Sequence, residues 1–217
     1  MPEGPEIWVL SKSINALFKD DNMTQSYGKH LFVIHKKKRE NWSFGMSGRV
    51  QIHEKDGQYE IDKLNNGWLP GDTKPFHHYE DEIKHLGIDW MSGAKTELQK
   101  EVDSWTHSKK KLAGLLLDQS KISGIGVAWG SEILHHAGLR PDLKTCDQDL
   151  SGLVDSMIHI REKVKKEYSK QFNLSIKNDE LVSFINKWFD NLYAIRTMEV
   201  YKKGSKKEVL GRTWWLS

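Results

Sequence analysis

The hydrophobic pattern changes its repeat near residue 97, and that change constrains the fold more than any other feature. Before it, residues 30–35 and 42–53 are rich in Phe, Val, Ile and Trp, with glycines at 45 and 48, and read as strands. The stretch 55–80 is polar, with Asn65-Asn66-Gly67 and Pro70-Gly71 as turn signals, and reads as short strands and loops. Residues 81–96 read as a linker ending in Ser92-Gly93. After it, apolar residues recur at helical spacing over 97–106, 111–120, 128–137, 149–169 and 179–190. Leu181, Phe184, Ile185 and Trp188 mark the inner face of the last of these, with Asn178 or Asp179 as its cap. Strands gathered in one half and helices in the other predict an α+β chain, not an alternating βα one. A leading helix over 5–18 is expected, because Ile7, Leu10, Ile14, Leu17 and Phe18 share a face and Pro5 suits a first turn. The tail from 198 to 217 alternates around Lys203-Gly204-Ser205 and reads as a hairpin. The expected domains are 1–90 and 97–217, with the terminal hairpin within 193–217.

Composition excludes several classes. The single cysteine, Cys146, leaves no internal disulfide and no cysteine-based zinc site. The paired histidines His77-His78 and His135-His136 lack a metal-binding helical spacing, so no metal and no cofactor is expected. No apolar run is long enough to cross a membrane, and the first ten residues lack an apolar signal core. An intracellular, monomeric protein is expected. The net charge is only +3, but it is unevenly spread. Basic runs occur at Lys36-Lys37-Lys38-Arg39, Lys109-Lys110-Lys111 and Lys202-Lys203, and residues 193–217 hold six Lys/Arg against two Glu. Such stripes suit phosphate neutralisation, although any one of them also suits a solvated loop.

The chemistry-bearing segment is the N-terminus. If Met1 is removed, Pro2 presents a terminal amine, far less basic than a lysine and able to attack a sugar C1′ or an aldehyde. Glu3 lies beside it as a general acid or base, and Glu6 follows one helical turn later. The same residues also suit a plain helix start, since proline and acids favour that position. In the second half, Ser123-Gly124-Ile125-Gly126 separates two short helices, a geometry able to point backbone N–H groups at a phosphate.

Taken in order, these segments resemble the formamidopyrimidine-DNA glycosylase/endonuclease VIII family. Met1-Pro2-Glu3-Gly4-Pro5-Glu6 resembles the start of the endonuclease VIII branch, and Gly28-Lys29-His30-Leu31 the family's Gly-Lys-x-Leu strand. Phe44-Gly45-Met46-Ser47-Gly48 resembles its next strand. Leu116-Leu117-Asp118-Gln119, Gly124-Ile125-Gly126, Ser131-Glu132-Ile133-Leu134 and Gly138-Leu139-Arg140-Pro141 resemble its helix–two-turn–helix module, and Gly211-Arg212-Thr213-Trp214-Trp215 the end of a zincless finger.

The resemblance implies an N-terminal β-sandwich with a leading helix, then a helix–two-turn–helix domain ending in a zincless β-hairpin finger. It implies a bifunctional glycosylase and abasic-site lyase acting on damaged DNA, with oxidised pyrimidines hinted by Gly4. Pro2 would be the Schiff-base nucleophile and Glu3 the proton donor; Lys29 and Arg212 would bind phosphate and assist β- and δ-elimination. Glu6, Lys111, Gly124, Gly126 and Val127 would contact or orient DNA, and Met46 would fill the gap left by a flipped base. Four departures stand out. Val127 replaces the family's asparagine, the Asp-Pro-Arg-Arg-Phe-Gly segment is not recognisable between 75 and 95, the stretch before Lys29 is short, and zinc cysteines are absent. The reduced wedge favours single-stranded or bubble DNA. Val127 and the missing wedge leave open a catalytically weak or inactive binder of abasic or flexed DNA, and the helix–two-turn–helix element leaves open an RNA- or ribosome-associated module.

Overall fold

The computed structural model describes residues 2–35, 38–45, 48–64, 71–171, 177–187 and 198–216. Met46, Trp188 and residues 193–197 of the expected finger lie outside them. In chain order, helix α1 (Gly4–Phe18) precedes strands β1 (Thr24–Tyr27), β2 (His30–His35), β3 (Lys38–Ser43), β4 (Arg49–Lys55), β5 (Gln58–Leu64) and β6 (Thr73–Pro75), then helix α2 (Tyr79–Ile83). Strand β7 (Ile88–Asp89), helices α3 (Lys95–Asp103) and α4 (Leu112–Leu116), strand β8 (Ile122–Ser123) and helices α5 (Val127–Ala137), α6 (Leu153–Gln171) and α7 (Asn178–Asn186) follow. Strands β9 (Ser205–Val209) and β10 (Arg212–Leu216) close the chain. The chain is α+β, as its pattern predicts, and no helix among the described residues is long and apolar enough to cross a membrane.

Two compact units result: Met1–Lys84 with Lys166–Arg196, and His85–Lys165 with Thr197–Ser217. The first unit joins an antiparallel sheet, ordered β1-β2-β3-β6, to the β4–β5 hairpin around one core. Ile7, Leu10, Ile14 and Leu17 of α1 meet Leu31, Val33 and Trp42 of the sheet and Val50, Ile52 and Ile61 of the hairpin. The run 42–53, read as one strand, is divided between β3, which ends at Ser43, and β4, which starts at Arg49. Gly45 has φ +51, the Gly48 N–H donates to the Phe44 carbonyl at 2.8 Å, and a Cβ at Gly48 would lie 2.6 Å from that oxygen. Glycine is therefore required where the chain leaves the sheet for the hairpin.

Helix α7 departs from the expected boundary at 97, because it packs in the first unit. Leu181 and Ile185 are in that core, and the Asn186 side chain continues the β4 ladder, accepting the Ile52 N–H at 2.6 Å and donating to its carbonyl at 3.2 Å. Lys177 rather than Asn178 or Asp179 is its cap residue.

In the second unit the expected linker is firmly held. Strand β7 pairs in parallel with β8, Trp90 and Met91 are buried, and the Arg161 guanidinium donates to the carbonyls of Trp90 at 3.1 Å and Gly93 at 2.8 Å. Gly87 passes so close to Lys121 that a Cβ would meet its carbonyl oxygen at 2.1 Å. A parallel pair joins segments distant in sequence, so local composition cannot announce it. The terminal hairpin turns at Leu210-Gly211, φ +53 and +67, and not at Lys203-Gly204-Ser205. Two positive φ values suit the twist of a two-residue hairpin. Gly204 instead lies under the end of β10, where a Cβ would be 2.2 Å from the Leu216 carbonyl oxygen.

Candidate active site

The head of α1 gathers three of the expected residues by chain adjacency. Pro2 is buried, and Glu3 and Glu6 expose only 8% and 9% of their surface. Glu3 is extended and caps the helix; its carbonyl accepts the Ile7 N–H at 3.2 Å, and its own N–H donates to the Glu6 carboxylate at 2.9 Å. The helix dipole favours negative charge at this end, which makes two buried acids tolerable there. Glu6 therefore holds the backbone immediately after Pro2, and Glu3 sits within one residue of the Pro2 nitrogen. The far end of α1 is closed by Lys19 at φ +53, whose N–H returns to the carbonyls of Ala16 and Asn15. This fixes the helix, and with it the position of its head.

Lys29 is in the same unit, but in a turn and not on a strand. Tyr27 pairs with His30, leaving Gly28-Lys29 as the two-residue connection of β1 and β2, with Gly28 at φ +56. The turn displays Lys29, half-buried, at the hairpin tip. Beside it, His30 Nδ1 is 3.0 Å from Asn41 Oδ1, and Asn41 Nδ2 donates to Glu82 at 3.1 Å.

The second unit holds the other candidates. Helices α4 and α5 flank the glycine turn, with Gly124 at φ +97 and Gly126 as the extended cap of α5. Against the expectation of an N–H free for a phosphate, the Gly124 N–H donates to Gln119 Oε1 at 2.9 Å. Gln119 Nε2 in turn donates to the carbonyls of Leu117 and Ile125 at 3.0 and 2.9 Å. This one side chain braces the turn from inside. Val127 is the first residue of α5 and half-buried, and Lys111 is exposed at the cap of α4. Arg212 is exposed beside the Leu210-Gly211 turn and makes no ion pair among the described residues. Trp214 is fully buried: its indole lies so close to Gly130 of α5 that a Cβ there would approach it to 3.1 Å, and the Trp215 N–H donates to Ser131 Oγ at 3.2 Å. The two tryptophans thus anchor β10, leaving Arg212 at the free end.

Sequence reasoning gave Gln119 and Glu132 no role of their own. Glu132 is an acid on an otherwise apolar or small-residue stretch of α5, which is the signal that marks it. Lys63 belongs to none of the motifs above. Its ammonium donates to the Asp72 carbonyl at 2.6 Å and to Thr73 Oγ1 at 3.2 Å, and lies 5.7 Å from the centre of the Phe44 ring. Burial lowers its pKa from 10.5 to about 8, opposed by the Asp72 and Glu40 carboxylates.

No family model matches the chain. Among curated proteins, human endonuclease 8-like 3 is 26% identical over 166 residues, covering 68% of this chain and 26% of that protein. The chain therefore spans about a quarter of that relative's length. Among solved structures, Lactococcus lactis formamidopyrimidine-DNA glycosylase bound to DNA with an abasic site matches 89% of this chain and 78% of its own, at 18% identity and TM-score 0.60. The same enzyme with DNA containing N7-benzyl-Fapy-dG matches 100% and 98%, at 16% identity and TM-score 0.69. The MutM protein of Thermus thermophilus matches 100% and 97%, at 16% identity and TM-score 0.67. The order of motifs and the course of the backbone agree: this chain has the fold of the formamidopyrimidine-DNA glycosylases, and its sequence resembles the formamidopyrimidine-DNA glycosylase/endonuclease VIII family.

Proposed function

We propose that the protein is a DNA-repair enzyme that removes oxidised bases and cleaves the strand at the resulting abasic site, through the amine of Pro2. The observation that carries this reading is the burial of Pro2 beside two acids, Glu3 and Glu6, at a helix head. The capping box formed by the two acids holds them beside the Pro2 nitrogen, where Glu3 is placed to give or take a proton. The fold shared with DNA glycosylases supports the same reading.

After loss of Met1, the Pro2 nitrogen attacks the sugar C1′ as the C1′–base bond breaks, and Glu3 supplies the proton that the departing base takes up. The Pro2 nitrogen loses its proton, O4′ takes one up as the C1′–O4′ bond breaks, and the opened sugar is left as an iminium between Pro2 and C1′. Removal of a C2′ proton then expels the 3′ phosphate oxygen (β-elimination), and a second elimination expels the 5′ phosphate (δ-elimination). The iminium acts as the electron sink throughout, and water later releases the amine. Lys29 and Arg212, as cations, neutralise the phosphates that leave. Gly124, Gly126, Val127 and Lys111 line the proposed phosphate grip and Met46 the proposed wedge. Oxidised pyrimidines in single-stranded or bubble DNA are the proposed substrates, because unpaired bases need little unstacking to reach the amine.

Incubation with abasic DNA and borohydride tests the reading. A covalent adduct is expected, and it should vanish when Met1 is retained ahead of Pro2→Gly. Tight DNA binding with no adduct would replace the enzyme by a binder of abasic or flexed DNA. A strong preference for paired duplex would refute the single-strand proposal.

A further inference from the structure

Glu132 is a buried acid of the second unit whose carboxylate is bonded to backbone N–H groups. It lies in the middle of α5, exposes 2% of its surface, and accepts three consecutive backbone N–H groups from the segment that leads into the terminal hairpin. Oε2 takes the Glu199 N–H at 2.6 Å, and Oε1 takes those of Val200 at 2.9 Å and Tyr201 at 2.6 Å. The segment then turns, with the Lys203 and Gly204 N–H groups returning to the Val200 carbonyl, and β9 starts at Ser205. The two residues before it in the same helix hold the other strand: Gly130 receives Trp214, and Ser131 receives the Trp215 N–H.

Three successive residues of α5 thus fix both ends of the hairpin, and Arg212 lies beside its turn. The outer side of the same segment is held more loosely. The Glu199 carboxylate pairs with Lys163 at 2.9 Å and lies 3.7 Å from His135, on the surface, where such pairs contribute little. A charged acceptor sealed from water and matched to three N–H groups is of a different order.

We propose that Glu132 is the positioning residue of the hairpin: by clamping residues 199–201 it sets where Arg212 is presented. The consequence for δ-elimination rests on the glycosylase/lyase reading above, whereas the clamp itself does not. Glu132→Gln keeps the shape but aims an amide N–H at one of the three backbone donors. Glu132→Asp keeps the charge and shortens the reach, and serves if the first variant does not fold.

Two readouts decide the matter. In hydrogen exchange, the amides of 199–216 should exchange at least about tenfold faster in either variant, while those of α4 and α6 keep their protection. On abasic DNA, the borohydride adduct should stay within about twofold, since Pro2 is untouched, while the δ- to β-product ratio falls at least about tenfold, as in Arg212→Ala. Glu199→Gln should change neither. Unchanged exchange over 199–216 overturns the proposal. Faster exchange with an unchanged product ratio, when Arg212→Ala lowers that ratio, overturns the presentation of Arg212. If Arg212→Ala itself leaves the ratio intact, the role given to Arg212 is what fails, and the clamp stands or falls on hydrogen exchange alone.

Discussion

The two units carry their candidate residues in opposite ways. In the first, Pro2, Glu3 and Glu6 lie within five residues, and one helix start brings them together. In the second, the proposed phosphate grip is spread over Lys111, the glycine turn, Val127 and Arg212, on elements separated by about a hundred residues of chain. Their relative placement depends on buried polar braces, Gln119 within the turn and Glu132 beneath the hairpin. Local chemistry survives as long as its helix is capped and packed. A distributed grip is only as good as the side chains that hold its parts in place.

Four predictions sharpen or break this contrast. The largest effect belongs to the compact site. Glu3→Gln should slow base removal by roughly 10²–10⁴-fold, the usual span for a positioned proton donor, and slow strand cleavage at a preformed abasic site much less. Equal losses in both assays would mean that Glu3 does not act in base departure.

Next is the packing that carries that site. Ile185→Ala should destabilise the first unit by about 2–4 kcal/mol, read as a lower urea midpoint, because Ile185 is fully buried in the core shared by α1 and β4. A loss under about 1 kcal/mol would contradict the placement of α7 in that core.

The distributed grip should respond more modestly. Val127→Asn supplies the side-chain donor that the valine lacks at the head of α5, and should tighten binding to abasic-site DNA about tenfold at low salt, the worth of one hydrogen bond to a charged group. No gain would place the phosphates elsewhere on this unit.

The smallest effect is electrostatic. Lys63 binds its proton less tightly folded, at about 8, than unfolded, at 10.5. Between those values the unfolded chain therefore holds more protons, and stability should rise with pH across that window, by less than about 1 kcal/mol for a partly exposed amine. Comparing urea midpoints at pH 7 and pH 10, this rise should be missing from Lys63→Met. An identical pH response in wild type and variant would remove the assigned shift.

The sequence by itself determined what short-range physics can write. The leading helix follows from the spacing of Ile7, Leu10, Ile14 and Leu17, with Pro5 in its first turn. Strand β2 follows from its apolar run, of which Leu31, Phe32 and Val33 are buried, and helix α5 lies over the stretch read as helical, with Trp129, Ile133 and Leu134 buried. The pairing of the Pro2 position with Glu3 is legible because neighbours in the chain remain neighbours in the fold. Only the tertiary structure decided the rest. It turned the apparent linker at 81–96 into β7, paired in parallel with a strand more than thirty residues on. It carried α7 back to the first core, and moved the hairpin turn from Lys203-Gly204-Ser205 to Leu210-Gly211. It also occupied the Gly124 N–H with Gln119 and buried Glu132 under three amides. The physical reason is the same in each case. A buried hydrogen bond or a strand partner is a property of two segments at once, and its strength depends on water being excluded from both. The residues at one end of such a contact look, in sequence, like any other lysine-rich turn, solvated glutamate or surface glutamine.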